Sequence, residues 1–212
     1  MKCKEGPILM TPENAQKCHD GTKIQTRRLN GLEEINIAPA VWAVTELSNG
    51  SFVFTKTPAV KHGSRAIECP YGVVGDRLWV REATAYCLRC GRAIFKGQHI
   101  GHCPCCDKSC ADLKWSPSIY MPRLACRTVL EITDIRVERL QEISEEDALA
   151  EGVMVRPDAE IAARVAGHPE TGARMEFYAL WESIHGIGSW SLNPWVWVIS
   201  FKKVNDAKSA TI

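Results

Sequence analysis

At 212 residues, with 45% hydrophobic and 8% aromatic content, the chain can bury a core as one domain with insertions or two small ones, which excludes a disordered chain. Its formal charge of +1 argues against a surface coated throughout for polyanions. No stretch reaches the length of a membrane span and the N-terminus MKCKEGPILM lacks the apolar core of a signal peptide, so the sequence reads as that of a soluble, cytoplasmic protein. The charge is nevertheless uneven. Nine Lys/Arg stand against four Asp/Glu from Asp76 to Arg127, and eight acids against two arginines from Glu131 to Glu151, which leaves room for a basic face.

In chain order, Thr11 can cap a helix whose first turn holds Pro12, Glu13 and Asn14, and Gly21 can take the left-handed position that ends it. Thr22, Lys23, Ile24, Gln25, Thr26, Arg27 and Arg28 follow. Two hydroxyls, an amide and three cations around one apolar side chain are poor core material, so this run reads either as a solvated edge strand or as a site. Val41 to Leu47 and Phe52 to Thr55 flank Ser48-Asn49-Gly50-Ser51, a hairpin signal. Tyr71 to Asp76 supplies a turn before the strand Arg77 to Glu82, with Asp76 placed to accept from nearby backbone N–H groups.

Six of the ten cysteines fall between Cys87 and Cys110. Cys87-Leu88-Arg89-Cys90 and Cys103-Pro104-Cys105-Cys106 are two knuckles with twelve residues between them, a spacing that suits one closed, structural Zn²⁺ site with Cys87, Cys90, Cys103 and Cys106 as ligands. Cys105, Cys110, His99 and His102 are the substitutes for the fourth ligand. Residues 86–114 read as a zinc-knuckle insertion that metal, not a core, stabilises. The loop Trp115-Ser116-Pro117-Ser118-Ile119-Tyr120-Met121-Pro122-Arg123 is either a packed crossing or a binding surface, on which Trp115 and Tyr120 stack against a flat ligand while Arg123 meets an anion.

Arg127 to Val137 alternates as a long strand. Ser144-Glu145-Glu146-Asp147 has the form of a capping box for a short helix ended by Gly152, leaving Glu151 in the last turn, where a carboxylate opposes the dipole. Arg156 to Gly172 reads as a loop with one short helical piece. Phe177, Leu180, Trp181 and Ile184 form one stripe of a helix closed by His185-Gly186. The run Trp195 to Phe201 reads as a strand buried on both faces. Strands outnumber helices, giving an α+β fold with a curled sheet or small barrel.

Gly21-Thr22-Lys23-Ile24-Gln25-Thr26-Arg27-Arg28, CPYGVVGDRLWVRE, WSPSIYMPR, ISEEDALAEG and NPWVWVISFK together resemble the ASCH-domain proteins encoded by bacteriophages and prophages. The resemblance spans 1–85 and 115–212, apart from the Arg156 to Gly172 loop. It implies a PUA-like small β-barrel with flanking helices, interrupted by the zinc insertion, and a partner that is RNA, DNA or a modified nucleoside. One small branch of that family hydrolyses the amide of N4-acetylcytidine with a lysine, a threonine and a glutamate that fall on Lys23, Thr26 and Glu151, and Arg27 or Arg28 would stand at the rim. This chain departs from that branch in its size and its cysteine segment. The same residues also suit a non-catalytic RNA- or DNA-binding module, and the insert suits a phage regulatory protein that recognises another protein.

Overall fold

In a computed structural model the residues described are 3–47, 51–56, 63–98, 113–158, 161 and 172–204. Among these residues ten strands are formed: β1 (Glu5–Leu9), β2 (Gln25–Arg28), β3 (Trp42–Glu46), β4 (Ser51–Lys56), β5 (Ser64–Glu68), β6 (Arg77–Arg81), β7 (Thr84–Tyr86), β8 (Ala93–Phe95), β9 (Val129–Arg139) and β10 (Trp195–Val204). The α-helices among the described residues include α1 (Pro12–Asp20), α2 (Glu145–Ala150) and α3 (Gly172–His185). The fold is mixed α+β. The expected closed barrel is not found: among the described residues the strands form open sheets of five, three and two strands, and β1 and β2 are the ends of the largest. No described helix is long and apolar enough to cross a membrane.

The chain divides into two compact units, one of residues 1–22, 76–131 and 202–212, the other of 23–75 and 132–201. In the first, the Thr11 hydroxyl accepts from the Asn14 N–H at 3.3 Å, and Gly21 ends α1 at φ 79°, a conformation that costs a residue without Cβ little. Ala15 and Cys18 are the buried face of that helix. β6 alternates, burying Leu78 and Val80, and pairs with β1 in parallel and with β9 antiparallel. Asp76 accepts from the Lys4 N–H at 2.8 Å, the structural role its place before the strand predicts. Arg127 forks both oxygens of the fully buried Glu82 at 2.8 Å, so that carboxylate is buried with its charge answered.

In the second unit β3, β4 and β5 make an antiparallel meander, the first two being the predicted hairpin, although its turn at 48–50 lies outside the described residues. Trp195 to Ile199 are buried along β10, as a strand covered on both faces requires. Phe52 and Phe54 meet Trp197 and Trp195 edge-on, with centroids 5.3 and 5.7 Å apart. Phe177 and Trp181 of α3 bury their stripe with Leu140, Ile143 and Val196. Most of the expected loop from Arg156 to Gly172 is outside the described residues.

Candidate functional site

The Thr22 to Arg28 run is largely buried. Lys23, Gln25, Thr26 and Arg27 are each no more than 5% exposed, which corrects the reading of a solvated edge. Two backbone hydrogen bonds seat the run: Ile24 N–H donates to the Ala150 carbonyl at 2.9 Å, and the Ile24 carbonyl accepts from Phe201 N–H at 2.8 Å. The first satisfies a carbonyl that the end of α2 leaves without an intrahelical donor. It also sets Lys23 beside Glu151. The Lys23 ammonium donates to the Glu151 backbone carbonyl at 2.9 Å and to its Oε2 at 2.5 Å, across 128 positions of sequence.

The misplaced charge at the end of α2 is thereby explained, because cations surround it. Glu151 Oε1 accepts from Arg27 Nη1 at 3.2 Å, while Arg27 Nη1 also donates to Gln25 Oε1 at 2.8 Å. Arg27 Nη2 reaches Glu138, and Asp147 at 3.3 Å, and its Cζ lies 5.6 Å from the centre of the Phe177 ring. Arg136 closes the network, donating to Glu138 at 3.1 Å and to Asp147 at 2.6 Å. Three cations thus answer three carboxylates, the condition under which buried charge is tolerated. Burial pushes the Asp147 carboxyl up, but the hydrogen bonds from Gln25 and Arg136 outweigh it and leave the group below the usual aspartate value.

Lys23 carries three donors, and the two bonds to Glu151 leave one for a further acceptor. Both Glu151 oxygens are engaged, so its part is to hold Lys23 in place. Thr26 stands differently. β2 pairs with β10 in regular register, Ser200 with Gln25 through Trp197 with Arg28, so Gln25 and Arg27 share one face and Thr26 and Arg28 the other. No hydrogen bond joins Thr26 to Lys23 or Glu151 among the described residues. Burial, and after it the charge of the half-buried Arg28, lowers the pKa of His185.

Trp115, Tyr120 and Arg123 belong to the first unit, whereas Lys23, Thr26 and Glu151 belong to the second. Trp115 packs with Leu113 against Cys87 and Ile94, Tyr120 is 69% exposed, and Arg123 is bridged to Glu5. Arg136 and Glu138 are not singled out by the sequence, which marks Gln25 only as one of a polar run and Asp147 only as part of a capping box. Their one advance signal was charge complementarity, the acid-rich run from Glu131 to Glu151 answering the cations after α1.

Half of the expected metal centre is described. Cys87 N–H donates to the Arg92 carbonyl at 2.9 Å and Gly91 N–H to the Cys87 carbonyl at 2.8 Å, with Gly91 at φ 72°. This tight turn spans Cys87 to Gly91, the backbone form from which a metal knuckle presents its cysteines; Cys87 is buried and Cys90 exposed. Cys103, Cys106, Cys105, Cys110, His99 and His102 lie outside the described residues, and among the described ones no group of three His, Cys, Asp or Glu forms a metal cluster.

No family model, curated protein or solved structure matches the chain.

Proposed function

We propose that this chain is an ASCH-type, PUA-like protein that recognises a nucleobase at Lys23 and hydrolyses the amide of an N4-acylated cytidine-type nucleoside. One observation carries the reading: Glu151 holds the Lys23 ammonium through both its carboxylate and its carbonyl, leaving one N–H to meet a substrate carbonyl. The β-rich units with few helices support the α+β class it implies, though not the closed barrel. In this reading Lys23 meets the acyl oxygen, where a fixed donor counts most as negative charge develops. The Thr26 hydroxyl adds to the acyl carbon and gives its proton to water, the amide C–N bond breaks as the leaving amine takes a proton from water, and a further water then releases the acyl group from Thr26. Glu151 is a positioning residue. Cys87, Cys90, Cys103 and Cys106 hold one structural zinc and take no part in a chemical step.

A second reading, a module that binds RNA, DNA or a nucleoside without reacting, is favoured by the strand alternation that turns Thr26 away from Gln25 and Arg27. Incubating the purified protein with N4-acetylcytidine and following cytidine by mass separates the two. Conversion that Thr26→Ala abolishes is the expected result. Binding without conversion would establish the module instead, and neither binding nor conversion would remove both readings and leave a protein-recognition role for the insert.

A further inference from the structure

The first unit carries a second polar surface, built on one face of its strands. Glu5, Pro7 and Leu9 of β1 lie opposite Arg77, Trp79 and Arg81 of β6, and β9 sets Glu131 opposite Arg77 and Val129 opposite Trp79. Residues paired in this way share a face of the sheet. Ile8, Leu78, Val80 and Leu130 are buried on the other side, whereas Arg77, Trp79 and Arg81 on this one are half-buried, beside the buried Val129.

Two guanidinium groups rest on the Trp79 indole. Arg81 Cζ is 5.2 Å and Arg123 Cζ 5.9 Å from the ring centre. Both are held there, Arg81 by a hydrogen bond to the Ile119 carbonyl and Arg123 by its bridge to Glu5. The exposed Tyr120 follows Ile119 directly. Arg77, Arg81, Arg123 and Lys202 stand on or beside this face against Glu5 and Glu131, and the two carboxylates are bridged by Arg123 and, at 2.8 Å, by Lys202. The surface therefore carries more cations than carboxylates, with few apolar side chains.

We infer that this face docks single-stranded RNA. A guanidinium laid on an indole presents a planar cation, on which a base stacks while its phosphate meets the remaining N–H donors. The excess of cations over carboxylates suits the phosphate backbone. Glu5 and Glu131 beside the arginine row accept from 2′-hydroxyls, groups that DNA lacks. A protein partner needs a larger apolar centre than Pro7 and Leu9 provide. The inference is independent of the Lys23 chemistry, since it concerns unmodified RNA.

The test is fluorescence polarisation of the full chain with a labelled, mixed-sequence oligoribonucleotide of about 12 nucleotides, within the range one stacking platform covers. Binding at low salt is expected, weakening as salt rises. Trp79→Ala and Arg81→Ala should each weaken it about tenfold, the loss of one stacked base. Trp79→Phe should restore most of the affinity. Arg123→Glu, at an exposed position where folding is not at stake, should weaken it more than Arg123→Ala. N4-acetylcytidine turnover should be the same in Trp79→Ala as in the parent, so failure of this surface and failure of the hydrolase reading are told apart. No RNA binding at low salt, unchanged affinity in Arg81→Ala and Arg123→Glu, or equal affinity for single-stranded DNA would each overturn the proposal.

Discussion

Glu151, the residue that ends α2, closes on the Lys23 ammonium at 2.5 Å while its other oxygen meets Arg27, so one carboxylate anchors two buried cations. Removing a single member leaves a charge without its partner. Lys23→Met or Glu151→Met should therefore cost about 3–5 kcal/mol, whereas the double replacement should recover a good part of that loss. Urea denaturation of the two single variants and the double variant gives the coupling directly, and additive losses would mean that the pair is not energetically linked.

The acid limb of stability should depend on Asp147. Its carboxyl is held below the ordinary value because the bonds from Gln25 and Arg136 outweigh burial. A depressed folded pKa contributes stability that is complete above the unfolded aspartate value of about 3.9 and is lost as pH falls through the folded value. Melting curves collected downward from pH 5 should show a steeper decline for the parent than for Asp147→Asn. Parallel declines would contradict the assignment.

The Cys87 turn predicts a metal content. Purified protein should carry about one zinc per chain, and Cys87→Ser should lose it while the remainder stays folded. Elemental analysis with thiol titration reads both, and metal-free protein whose thiols all react at once would exclude the site.

Gly97 gives a test of packing. A Cβ there would stand 2.2 Å from the Pro12 carbonyl oxygen, which is backbone at the start of α1 and cannot swing aside. Gly97→Ala should destabilise the chain by about 1–3 kcal/mol, the usual cost of overpacking, although the residue itself is exposed. An unchanged melting temperature would show that the segment yields freely.

What the sequence disclosed was local. The Thr11 and Gly21 caps, the β3–β4 pairing, the Asp76 turn and the buried β10 all follow from spacing within a few residues and are present, while of the stripe Phe177, Leu180, Trp181 and Ile184 the first three are at least partly buried and Ile184 is 51% exposed. Glu151 stood out because a carboxylate opposes the end of a helix. Its meeting with Lys23 rested on family resemblance alone. The burial of Lys23 and Arg27 was illegible for a physical reason: a charged run reads as solvated unless the opposite charges are known to come from elsewhere, and Glu138 and Asp147 lie more than a hundred positions away. The open sheet was illegible too, since alternation gives each strand its faces without saying whether the ends meet.

β2 is the last strand of its sheet; it carries Gln25 and Arg27 and begins two residues after Lys23. It has only four residues, and charges turned inward at such an edge deter another chain from adding a strand there. The ion network thus has a colloidal role besides a local one. A redesign that swaps the charges for well-packed apolar side chains can gain folding free energy and lose this protection, so the more stable protein would be the one that precipitates when concentrated or partly unfolded.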